Sequence, residues 1–117
     1  MNKRRELLAR IALGTIFISI TYLSLKSASH HSPIHVNDKI GHFIAYATLS
    51  INALLVWRQR TPKFKIGLAL TLFGYGLLME FLQGFVPGRE VSAFDLLANS
   101  IGVGIGYLLF SRVKRYL

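Results

Sequence analysis

Apolar residues fall into four long runs, residues 7–25, 40–57, 66–86 and 94–110, separated by short stretches rich in Ser, His, Pro, Gly and charge. No run alternates with period two and each is longer than an ordinary strand, so the pattern predicts helices. Crossing a hydrocarbon core of about 30 Å takes roughly 20 residues at about 1.5 Å each. The runs are close to that length, the last being the shortest, with Tyr107, Arg112 and Tyr116 placed to anchor it at the interface. Pro33, Thr61-Pro62 and Pro87-Gly88 interrupt the pattern between runs. The expectation is all-α: a small bundle of four transmembrane helices, one membrane domain over residues 1–117, with no repeat.

Composition sharpens this. Of 117 residues 52% are hydrophobic and 16% charged, which excludes a disordered tail, and the absence of cysteine excludes a disulfide framework, a thiolate metal site and a cysteine nucleophile. A net charge of +9 raises the question of nucleic acid, but the basic residues bracket the apolar runs rather than forming one patch. Lys3, Arg4, Arg5 and Arg10, then Arg58, Arg60, Lys63 and Lys65, then Arg112, Lys114 and Arg115 flank one predicted side; only Lys26, Lys39 and Arg89 flank the other. By the positive-inside rule both termini are expected in the cytoplasm, and no nucleic-acid partner is expected. The first run also has the layout of a signal peptide, with small residues at Ser27, Ala28 and Ser29, but it is long for one. Trp57, Tyr22, Tyr107 and Tyr116 read as interface anchors.

The informative residues are polar ones inside the apolar runs, where a charge costs roughly 2.5 to 3.5 kcal/mol at mid-helix. They are Asp38, Lys39, His42 and Tyr46 in the second helix, Glu80 and Gln83 in the third, and Asp95 and Asn99 in the fourth. Spacings of three and four put Asp38, His42 and Tyr46 on one face, Glu80 and Gln83 on another, and Asp95, Asn99 and Gly102 on a third. Counted from the predicted outer ends, Tyr46 lies roughly 12 Å deep, Glu80 roughly 9 Å and Asn99 roughly 6 Å. One shared polar pocket opening outward is expected, with Arg89 as ion partner of Glu80 and Asp95 as competitor.

In order along the chain, Asp38-Lys39-Ile40-Gly41-His42-Phe43-Ile44-Ala45-Tyr46, then Glu80-Phe81-Leu82-Gln83, then Arg89 through Ser92 to Asp95, Asn99 and Gly102 resemble the VanZ-like family over about residues 36–106. The resemblance implies a small integral membrane protein of the bacterial cytoplasmic membrane, in a family named for a protein linked to teicoplanin resistance. It does not supply a biochemical activity.

Asp38, Lys39, His42, Tyr46, Glu80, Gln83, Arg89, Asp95 and Asn99 form the candidate binding set. Its bland alternative is an interhelical hydrogen-bond network that only holds the bundle together. A catalytic version would use Glu80 or Asp95 as general base with His42 as proton shuttle. A metal version on His42, Glu80 and Asp95 has no compact signature, and no metal or cofactor is expected. His30, His31 and His35 read as a solvated loop. Gly102 and Gly106, in small-xxx-small spacing, predict close helix packing, within one chain or in a homo-oligomer. The function reading is a protein that binds or acts on an envelope component, a lipid headgroup or lipid-linked precursor. The alternatives are an intramembrane hydrolase or transferase, and a proton-coupled or small-solute carrier.

Overall fold

The computed structural model describes residues 2–25, 36–87 and 93–116, with side chains given from residue 40 in the second stretch and to residue 115 in the third. Its elements are α1 (Lys3–Leu25), α2 (Val36–Val56), α3 (Pro62–Gln83) and α4 (Ala93–Val113), followed by a 3-10 turn, Lys114–Tyr116. The described residues contain no strand.

Each helix starts before its apolar run, because backbone hydrogen bonding continues past the last lipid-soluble side chain. The Asn2 Oδ1 accepts from the Arg5 N–H at 2.8 Å and caps α1. Thr61 caps α3 by accepting from the Phe64 N–H at 3.2 Å, and Pro62 stands at the first helical position, where its missing N–H costs nothing. At its other end α3 stops at Gln83, three residues short of the expected end. There the N–H groups of Gly84, Phe85 and Val86 donate to the carbonyls of Phe81, Leu82 and Gln83, a tightened i to i+3 pattern leading into Pro87.

Three helices, α1, α3 and α4, are long and apolar enough to cross a membrane. Helices α2 and α4 are each 21 residues long, so the short apolar run at residues 94–110 lies within a full-length helix, and the core gathers on α2. That helix carries the fewest lipid-facing demands because it is the central one. Leu49, Ala53 and Leu54 are buried on it, and it packs most extensively against α4. Large apolar side chains elsewhere face outward, among them Ile18, Leu70, Phe81, Phe94 and Leu108. In water such a surface would be prohibitive; in lipid it is the ordinary exterior.

Contacts between the helices set their directions. His42 meets Asn99, Ser50 donates to the Val103 carbonyl at 3.1 Å, and Arg58 donates to the Lys114 carbonyl at 3.3 Å, so α2 and α4 run parallel. The Asn52 amide donates to the Ala9 carbonyl, which sets α1 antiparallel to α2, and Thr21 meets Tyr75 at 2.5 Å, which sets α1 parallel to α3. The result is an up-down-up-down bundle, with both chain ends and the α2–α3 turn together. Hydroxyls that face lipid are satisfied within their own helix: Thr15, Thr71 and Ser111 each donate to a carbonyl four residues back.

Gly102 and Gly106 line the α2–α4 seam. A Cβ on Gly102 would lie 2.6 Å from the Phe43 carbonyl oxygen, and one on Gly106 2.7 Å from that of Ala47. The structure uses this glycine pair for close packing within the chain, against the α2 backbone. Trp57, read as an interface anchor, also packs against the core and lies 6.2 Å from the Phe64 ring.

Candidate functional site

Parallel α2 and α4 begin at the same end of the bundle, and α3 finishes there. That topology converts three sequence stripes into one cluster. His42 and Tyr46 face α4 from successive turns of α2, Asp95 and Asn99 answer from α4, and Glu80 and Gln83 come from the last turn of α3.

Burial is nearly complete below the rim. Tyr46 is 1% exposed, Gln83 2%, Asn99 3% and Glu80 4%, while the side chains of His42 and Asp95 are 19% and 15% exposed. The cluster therefore grades from a partly open His42–Asp95 layer to a closed Tyr46–Asn99 layer. Depths shift with the true helix ends: Tyr46 is about 15 Å from the start of α2, Asn99 about 9 Å from the start of α4 and Glu80 about 4.5 Å from the end of α3.

The His42 ring is held at Nδ1 and faces a carboxylate with Nε2. Its Nδ1 lies 3.1 Å from Asn99 Oδ1, so Nδ1–H donates to that acceptor, and the ring turns Nε2 toward Asp95 Oδ2 at 3.9 Å. The second distance is an ion-pair approach longer than a hydrogen bond. The imidazole thus stands between the partly open Asp95 carboxylate and the Asn99 amide of the closed layer below, oriented by the amide and facing the carboxylate. Glu80 and Asp95 are both partnered.

Tyr46 is different: its hydroxyl is buried and, among the described residues, has no hydrogen-bond partner. Such a group costs about 1 to 3 kcal/mol relative to a satisfied one. Its ring is accommodated by Gly76, where a Cβ would come within 3.3 Å of Tyr46 Cε2 and 3.5 Å of Asn99 Cβ. Tyr75 lies beside it, ring centroids 6.1 Å apart, and ties the cluster to α1 through Thr21.

Of the nine expected binding residues, His42, Tyr46, Glu80, Gln83, Asp95 and Asn99 converge on this end of the bundle. Arg89, with its expected pairing to Glu80, and the side chains of Asp38 and Lys39 lie outside the described residues, as do His30, His31 and His35. Among the described residues His42, Glu80 and Asp95 do not close into a group able to hold a metal ion. Sequence reasoning missed Gly76 and Tyr75. Gly76 was accessible in principle, being four residues before Glu80 on the same face, whereas the Tyr75–Thr21 contact depends on how α1 docks.

The chain matches the VanZ/LLP1 family over residues 3–114, nearly its whole length. It is also similar to uncharacterized protein C11E3.10 of Schizosaccharomyces pombe (strain 972 / ATCC 24843), 35% identical over 80 residues, which cover 66% of this chain and 48% of that protein. The chain thus spans about half the length of the curated relative it matches. No solved structure matches it. An all-helical bundle with three helices able to cross a membrane, polar groups gathered at one end, and a family match that runs through every helix agree with one another: the chain is a membrane protein of the VanZ/LLP1 family.

Proposed function

We propose that the His42–Asp95 end of the bundle binds the polar headgroup of an envelope component, a membrane lipid or a lipid-linked precursor, from the outer side of a bacterial cytoplasmic membrane. The observation that carries this reading is the buried Tyr46 hydroxyl without a partner, set beneath a partly open layer of ionisable groups. A hydroxyl donor at the floor and a His–carboxylate pair at the rim suit a ligand with several oxygen acceptors. A purely structural network would be expected to satisfy its most buried member, since interhelical hydrogen bonds in membranes contribute only about 0.6 to 2 kcal/mol each. A link to teicoplanin susceptibility belongs to the same reading, because glycopeptides act on the outer face. A relative in a fission yeast weighs toward a lipid headgroup, the ligand class both kinds of cell possess.

The His42–Asp95 approach supports a second reading, an intramembrane hydrolase or transferase acting on the bound headgroup, with Glu80 or Asp95 as base and His42 moving the proton. A carrier has less support: beyond Tyr46 the path is filled by buried Leu49, Ala53 and Leu54 and by the glycine seam.

The test is a mass-spectrometric comparison of lipids and cell-wall precursors in cells expressing the wild type, Glu80→Gln or nothing, paired with lipids co-purified with each protein. Binding predicts a headgroup class retained by the wild type and lost from Glu80→Gln, with unchanged cellular profiles. A species made or consumed by the wild type alone moves the conclusion to the enzyme. Identical co-purified lipids and profiles at equal protein levels overturn both.

A further inference from the structure

The opposite end of the bundle holds a second grouping that the proposed headgroup site does not use. Arg58 follows α2, Lys65 lies in the first turn of α3, and Lys114 follows α4; they are far apart in sequence and meet because α2, α3 and α4 end together there. The Arg58 Nη2 donates to the Lys114 carbonyl at 3.3 Å, which pins the guanidinium across the ends of two helices. Its Nη1 is buried and has no hydrogen-bond partner among the described residues. Lys65 places its ammonium 5.8 Å from the centroid of the buried Phe110 ring, within the electrostatic reach of both Lys114 and Arg58.

Three cations held together call for an anion, and among the described residues none is paired with them. Glu6, on α1, is engaged by Arg10 at 3.1 Å. The cluster also sits at a particular height. Trp57 and Phe64, adjacent in sequence to Arg58 and Lys65, meet with tilted rings at the same level, where aromatic side chains mark the membrane–water boundary. Below them exposed Ile66, Leu108 and Leu109 continue an apolar wall suited to acyl chains.

We propose that Arg58, Lys65 and Lys114 form a binding site for the phosphate group of an anionic phospholipid in the leaflet that faces the basic end of the bundle. The unpartnered Nη1–H of Arg58 and the Lys65 ammonium supply donors to the phosphate oxygens, and Lys114 supplies long-range attraction. Interhelical basic pockets of this kind hold phospholipid headgroups, and the apolar wall distinguishes a lipid from free phosphate.

The test uses the full chain in neutral detergent, titrated with phosphatidylglycerol, phosphatidylcholine or inorganic phosphate and read by thermal melting and by native mass spectrometry of retained lipid. Saturable stabilisation by phosphatidylglycerol alone is expected. Retention should fall about fivefold for Lys65→Gln and again for Lys114→Gln, while Arg4→Gln on exposed α1 changes it less than about twofold. Arg58→Lys, which keeps the charge but loses the fork, gives a folded comparison where Arg58→Gln does not fold. Equal loss in Arg4→Gln, equal stabilisation by phosphatidylcholine, or full saturation by inorganic phosphate would each overturn the assignment.

Discussion

Tyr46 concentrates the chemistry of this protein in a single atom. Its ring is sealed by Gly76 and Asn99, yet its hydroxyl has nothing to bond. In ligand-free protein, Tyr46→Phe should therefore raise the unfolding free energy by about 1 kcal/mol, because a buried donor without a partner is removed and the ring is kept. The same substitution should weaken headgroup retention. Melting in detergent with co-purified lipid analysis checks both, and a loss of stability without change in retained lipid would make Tyr46 a structural residue. His42 shows how little of such detail is carried by spacing. That it shares a face with Tyr46 follows from a separation of four; that its ring is held between Asn99 and Asp95 depends on α4 lying parallel and in register.

At the level of elements, the α2–α4 seam bears the weight of the fold. Gly102 and Gly106 allow backbone-to-backbone approach, and Ser50 uses it to reach the Val103 carbonyl. Gly102→Ala and Gly106→Ala should each destabilise by about 1 to 3 kcal/mol, as overpacking does where the opposing atom is backbone. Gly104→Ala, between them but open on every side, should be neutral or stabilising by up to about 1 kcal/mol through helix propensity. Denaturation of the three variants in one detergent decides it, and equal behaviour would mean that the seam opens in solution. The boundaries of these helices were less legible than their number. Hydropathy marks where side chains prefer lipid, whereas capping by Asn2 and Thr61 and the tightening of the chain before Pro87 mark where the helix begins and ends.

For the whole molecule, the up-down-up-down path brings both chain ends and the basic turn to one side and the acid-bearing polar cluster to the other. Reporter fusions or cysteine labels at residues 2 and 116 should report the same compartment, and a label at Pro87 the opposite one. Intact mass should show α1 retained, since Ala9, Ile20 and Ser24 are buried and Asn52 and Tyr75 bond to it from α2 and α3. Opposite compartments for the two termini, or a mass that begins after Ser27, would break this topology.

Helical class, the four elements, the membrane as solvent and the faces that carry polar groups were all readable from the residues alone, because these follow from periodicity, length and the cost of polar atoms in hydrocarbon. Most of the candidate site was legible for the same reason: residues three and four apart share a face whatever the helix packs against. Which faces meet was settled by the packing of the helices. It gave the Gly102–Gly106 face to α2, left the Tyr46 hydroxyl without a partner, turned His42 between an amide and a carboxylate, and collected Arg58, Lys65 and Lys114 from three helix ends. Those outcomes depend on the direction, register and rotation of whole helices, which close packing between elements sets and local spacing does not.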